Sequence, residues 1–218
     1  MLHVFCNLKK KTKFLATLGI VTLVVICLRI YQLQYPAIDD WFLTFLGERN
    51  NNYLNFIFKV SYEMGGTYVA GGIVIVALGV MIWQNYRQEA QAFAVATLGI
   101  LILVDRILKP FFDRNRPPKP RLVDGLSRHS FPSGHAAGNL VLYFYLSFVI
   151  ATKYPKLKVY VYGLATAIAI AIGFGSVYTK AHWLTDVLAG YIFGYLWLMV
   201  SLGLLKFLQR RSITKDEL

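Results

Sequence analysis

Six apolar runs dominate the pattern of the chain: residues 14–30, 67–83, 90–108, 136–151, 159–176 and 184–207. A helix that crosses a bilayer needs roughly 17–25 such residues. The runs lack the two-residue alternation of a barrel strand and are too long for one, so in lipid their backbone groups must be satisfied within helices. The fourth run is short at its edges and reads as starting near Ser133. The first is too long for a signal peptide and no small-residue cleavage site follows it. The prediction is an all-α integral membrane bundle of six transmembrane helices. Residues 31–66 interleave Tyr31, Tyr35, Trp41, Phe42, Phe45, Tyr53, Phe56 and Phe58 with polar positions. They predict one or two amphipathic helices lying in the interface, broken at Asn50-Asn51-Asn52.

Composition agrees with that pattern and excludes other classes. Of 218 residues, 56% are hydrophobic and only 16% charged, against about 25% charged in a soluble domain; disorder is excluded on the same ground. Cys6 and Cys27 provide neither a disulfide framework nor a zinc cluster. Cys27 reads as a small apolar residue inside a span, and Cys6 as a weak lipidation candidate. The net charge of +12 would suggest nucleic acid in a soluble protein. Here it points to lipid headgroups or phosphate, with no nucleic-acid partner.

The cations also orient the spans. With the amino terminus inside, inner segments hold 12 Lys and Arg and outer segments 11. Seven of the outer ones crowd into residues 106–128: Arg106, Lys109, Arg114, Arg116, Lys119, Arg121 and Arg128. Without that stretch the bias is 12 to 4 for the amino terminus inside. A stretch that defies the topology rule is a candidate for function. The expected layout is a basic cytoplasmic segment 1–13, a membrane domain 14–207 and a cytoplasmic tail 208–218. The Lys-Asp-Glu-Leu ending matches a retrieval signal read in the lumen, which this topology would leave unread.

Three polar clusters fall at span ends on the predicted outer face. Lys109 to Pro117 closes the third span, Phe131-Pro-Ser-Gly-His135 opens the fourth, and His182-Trp-Leu-Thr-Asp186 opens the sixth. Singly, each has a structural explanation. Lys109 and Arg116 fit juxtamembrane cations, Ser133 fits a helix N-cap, and His182 with Asp186 fits an i,i+4 pair. Together they are the parts of a metal-free phosphoryl transfer. Free N–H groups at the start of the fourth span, approached closely at Gly134, would bind an anion. Lys109 and Arg116 would neutralise its oxygens. Asp186 would hold one nitrogen of His182 so that the other attacks. His135 would serve as general acid and then as base for water. His129, in the loop, reads as solvated rather than catalytic.

Lys-x6-Arg-Pro, Pro-Ser-Gly-His and His-x3-Asp followed by Val-Leu-Ala-Gly, in that order over residues 109–190, resemble the type 2 phosphatidic acid phosphatase superfamily, which includes the vanadium haloperoxidases. The resemblance implies a multi-pass membrane phosphatase for lipid phosphates or diphosphates, using a phosphohistidine and no metal or other cofactor. Its site would open to the exoplasmic or periplasmic side. It assigns His182 as nucleophile, His135 as general acid, Asp186 as orienting partner, and Lys109, Arg116, Ser133 and Gly134 as phosphate ligands. One position departs: Ser176 stands where the family carries a phosphate-binding Arg. Losing such a contact weakens transition-state binding by about 2–4 kcal/mol. Lys180 would supply the missing charge if the helix continued one more turn, placing it above Ser176; Arg121 and Arg128 are other candidates.

The substrates this suggests are phosphatidic acid, phosphatidylglycerol phosphate and undecaprenyl diphosphate. The alternatives are a lipid-linked phosphotransferase using the same phosphohistidine, and a silent relative that binds lipid phosphate. A haloperoxidase would be soluble. A channel or transporter would carry ionisable groups within its spans, where only Asp105 and Arg106 come near an interior.

Overall fold

The computed structural model describes the backbone of residues 2–33, 36–49 and 51–216, with side chains from residue 17 to 212. Cys6, Tyr35, Asn50 and the whole Lys-Asp-Glu-Leu ending therefore lie outside the described side chains. Helices follow in the order α1 Leu2–Leu33, α2 Ala37–Gly47, α3 Asn52–Met64, α4 Thr67–Trp83, α5 Arg87–Ile102, α6 Lys109–Phe112, α7 Gly134–Lys153, α8 Lys158–Tyr178 and α9 Leu184–Asp216. Among the described residues no strand forms, and extended pairing is limited to a single bridge between Asn115 and His129.

Four segments are each long and apolar enough to cross a bilayer: Arg87–Phe112, Gly134–Lys153, Pro155–Tyr178 and Leu184–Ser212. Among the described residues the other two expected spans pass the same test as bent pairs, residues 17–33 with α2 and α3 with α4, the latter bent by 41°. Within 31–66, α2 and α3 are separate short helices, and α3 meets α4 at the 41° bend. The asparagine break falls where expected, with Asn51 capping α3 by accepting from the Leu54 N–H at 2.9 Å.

Burial is inverted relative to a soluble protein. Ile75, Val76, Trp83, Val159, Ile170 and Val200 project outward, a surface suited to acyl chains. The principal core joins α5, α7 and α9 through Phe93, Ile100, Val141, Tyr145 and Leu198. Gly190 and Gly194, one turn apart on α9, allow α7 to approach. A Cβ at Gly190 would lie 2.6 Å from the Ser133 carbonyl oxygen, and one at Gly194 2.8 Å from that of Ala137. Small residues at this spacing are what close helix packing in lipid requires.

The third long segment is not a regular α-helix throughout. Residues Leu103–Leu108 form a π-turn just before Pro110. Proline has no N–H for the Arg106 carbonyl, and its ring crowds that carbonyl; the wider turn accommodates both. The segment ends at Asp113, a left-handed residue at φ 42°.

Candidate active site

Each of the three clusters is placed by a local stop or start signal. Ser133 ends the loop and caps α7, its Oγ accepting from the Ala136 N–H at 3.3 Å. Its own N–H donates to the Asp186 carbonyl at 3.0 Å, tying the second cluster to the third. The Trp183 indole N–H donates to the Asn115 carbonyl at 2.8 Å, tying the third to the first.

His182 owes its position to the end of α8. The helix stops at Tyr178, and Lys180 turns the chain through φ 58°, a left-handed cap position usually held by Gly. The Lys180 N–H then donates to Val177 O at 2.9 Å and the His182 N–H to Ser176 O at 3.0 Å. This corrects the sequence expectation for Lys180: α8 does not continue, so Lys180 is not stacked above Ser176. Ser176 is buried, its Oγ donating to Ile172 O at 2.8 Å. His182 and Asp186 likewise do not share a helix, because His182 precedes the first residue of α9.

The His182 ring is nearly sealed, at 2% exposure, and its two nitrogens face opposite chemistry. Nδ1 lies 3.5 Å from Asp186 Oδ2, and Nε2 lies 3.4 Å from Arg116 Nη1. A guanidinium only donates, so the nitrogen it faces must carry the lone pair and the hydrogen belongs on Nδ1. Burial pushes the imidazole down to about 4, with the Arg116 charge acting the same way and Asp186 opposing. The free nitrogen is therefore unprotonated at physiological pH, its lone pair available to attack.

Arg116 is held ready. Its Nε donates to Ser127 O at 2.6 Å, Nη2 to Ser127 Oγ at 3.0 Å, and Nη1 to Ala181 O at 2.5 Å. Lys109 is buried and paired with Asp105 at 2.5 Å. A Cβ on Gly134 would sit 3.7 Å from the Lys109 ammonium, so the missing side chain leaves open the space between that cation and the start of α7. The ring of His135 lies 6.4 Å from that of His182, centre to centre. Its Nε2 is buried with no hydrogen-bond partner. His129 stays in the loop, 2.8 Å from Asp113.

Four participants have roles that were not legible in the sequence. Tyr62 of α3 stacks on the His135 ring at 4.3 Å and 16°. Asn139 donates to Gly65 O and His135 O, both at 2.9 Å, clamping the α3–α4 junction to the start of α7. Arg114 and Asp39, both fully buried, pair at 2.6 Å, and Arg114 pairs with Asp186 at 2.5 Å. Asp39 and Tyr62 lie in the stretch whose aromatic and polar mixture reads as membrane surface, and no local pattern distinguishes them there.

The family pattern of residues 90–210 matches the PAP2 superfamily. The chain belongs to the PAP2 superfamily. It is 32% identical over 127 residues to phosphatidylglycerophosphatase B of Bacillus subtilis, an alignment covering 57% of this chain and 61% of that protein. The chain thus spans less than two thirds of that relative's length. Its fold is similar to the crystal structure of a transmembrane PAP2-type phosphatidylglycerolphosphate phosphatase from Bacillus subtilis, with a TM-score of 0.78 at 22% identity, covering 86% of this chain and 94% of the other. Aquifex aeolicus LpxE is similar at TM-score 0.61 and 20% identity, covering 78% of this chain and 98% of its own. Arg116 is the guanidinium that faces Nε2 of His182 in this chain.

Proposed function

We propose that this PAP2 protein hydrolyses a phosphomonoester or diphosphate of a membrane lipid through a phosphohistidine on His182. The observation that carries the reading is the opposed setting of the His182 ring, with a carboxylate at Nδ1 and a guanidinium at Nε2. The Nε2 lone pair forms the bond to phosphorus as the ester or anhydride P–O bond breaks. The leaving oxygen takes its proton from His135, which afterwards accepts a proton from the water that cleaves the P–N bond. Arg116, Lys109, Ser133 and the backbone at Gly134 hold the phosphoryl oxygens. No metal or other cofactor enters the reading. The site opens on the outer side, with both termini cytoplasmic and residues 14–207 forming the catalytic membrane domain.

The test is phosphate release by the purified protein in detergent with EDTA, using phosphatidylglycerol phosphate, phosphatidic acid and undecaprenyl diphosphate. Phosphatidylglycerol phosphate leads that panel, a choice supported by the name of the Bacillus subtilis relative. Release that survives the chelator and falls by about a thousandfold or more in His182→Ala, the scale of losing a nucleophile, supports the reading. No release from any of the three lipids would overturn hydrolysis in favour of transfer or silent binding.

A further inference from the structure

Behind Asp186 lies a buried charge chain that the proposed chemistry does not use. Asp39 Oδ2 accepts from Arg114 Nη2 at 2.6 Å and from the Thr185 hydroxyl at 2.6 Å, and its Oδ1 accepts from the Thr185 N–H at 2.9 Å. Arg114 Nη1 donates to Thr185 Oγ1 at 2.8 Å and to Asp186 Oδ1 at 2.5 Å. The other Asp186 oxygen accepts from the Trp183 N–H at 3.0 Å and faces His182. Asp39, Arg114 and Asp186 are all at 0% exposure. Asp39 sits in the first turn of α2, where a carboxylate commonly serves its own helix dipole. Its hydrogen bonds go instead to residues about 75 and 146 positions away. Its neighbour Asp40 is exposed.

Burying an ion is costly unless it is paired. Two carboxylates flank the Arg114 guanidinium, so Asp186 keeps negative charge to set against the His182 ring. When His182 attacks, Nε2 gives its lone pair to phosphorus, Nδ1 keeps its hydrogen, and the ring becomes an N-phosphoryl imidazolium whose positive charge faces Asp186 Oδ2.

We infer that Asp39 is a positioning residue for His182: through Arg114 and Thr185 it fixes Asp186, the carboxylate that faces the ring as it becomes positively charged. This rests on the phosphohistidine reading. Asp39 stabilises the reacting state more than the bound substrate, so its removal lowers kcat and spares KM.

The experiment compares Asp39→Asn with wild type in detergent, and with Asp40→Asn as the exposed control. Asp39→Asn is expected to lose about tenfold or more in kcat with KM within about threefold, and Asp40→Asn to change neither. Placed on Asp186→Asn, Asp39→Asn should add less than about twofold, because the path to His182 is already cut. Losses that multiply, or a kcat that does not move, overturn the inference. Thr185→Val, which removes the hydroxyl joining Asp39 to Arg114, takes its place if Asp39→Asn does not fold, with the same split expected. Orthovanadate affinity by calorimetry reads the chain without turnover, since a five-coordinate vanadate on Nε2 charges the ring. Asp39→Asn should weaken it and leave inorganic phosphate binding unchanged. Wild type that neither releases phosphate nor binds vanadate overturns the phosphohistidine reading and this inference with it. Wild type that does both, with Asp39→Asn indistinguishable from it, overturns this inference alone.

Discussion

His182 shows how far one side chain depends on its setting. Its ring is held neutral to about pH 4 by burial, so the acid limb of kcat/KM governed by the nucleophile should have its midpoint near 4 rather than near the ordinary 6.5. The same shift has a sign for stability. Between those values the unfolded chain binds a proton that the folded one refuses, so stability falls as pH drops from about 6.5 towards 4. Thermal unfolding in detergent across that range should show the decline, reduced in a folded His182→Gln variant. Lys180 and Arg116 separate charge from turn geometry. Lys180→Gly removes the ammonium and suits the left-handed position at φ 58°, so the protein should fold as well as before and keep its KM. Arg116→Ala should lose about 30- to 1000-fold in kcat/KM, the scale of one transition-state donor. A large KM rise in Lys180→Gly would return the phosphate role to Lys180.

Helix starts and helix contacts carry the anion site. Gly134→Ala would place a methyl 3.7 Å from the Lys109 ammonium and 3.6 Å from Asp105 Oδ1. These are ordinary contacts, so folding should be unaffected, while KM for the lipid phosphate rises because the methyl occupies the anion's space. On the other side of α7 there is no such room. Gly194→Leu would drive a side chain into the Ala137 backbone and part α7 from α9, the two helices that carry Ser133 and Asp186. Overpacking of this kind costs about 1–3 kcal/mol or more. Melting temperature and phosphate release should therefore fall together, in contrast to Gly134→Ala, where only the second changes. Tyr62 shows the same logic across α3: its ring supports that of His135 at 4.3 Å, although α3 carries none of the three motifs.

The whole molecule is an outward-apolar bundle with a loop of cations at one end. The proposed topology places residues 113–133 outside and the α4–α5 turn inside. In a background free of Cys6 and Cys27, Asp124→Cys should react with a membrane-impermeant maleimide in intact cells, and Gln84→Cys only after permeabilisation. The reverse pattern would turn the protein over and put the site on the inner side. Two of the seven cations of residues 106–128 count against the positive-inside bias for a reason visible only in the fold. Arg114 is neutralised within the protein by two carboxylates, and Lys109 by Asp105. Paired charges of this kind serve the site rather than the membrane surface.

The apolar runs alone determine that the chain is helical and lies in a membrane, because a backbone in lipid must satisfy itself within each segment. The spacing of Lys109, Arg116, Ser133, Gly134, His135, His182 and Asp186 was legible for a related reason. Caps, prolines and paired polar side chains are local features, and the family's three motifs preserve their order along the chain. Tertiary structure alone decided which nitrogen of His182 faces a donor, where α8 ends relative to Lys180, and that Asp39 and Tyr62 reach the site. Asp39 and Thr185 are 146 positions apart, and no period of helix or strand links them. Their contact exists because α2 packs against the start of α9, where burial makes an unpaired carboxylate too costly to leave without partners.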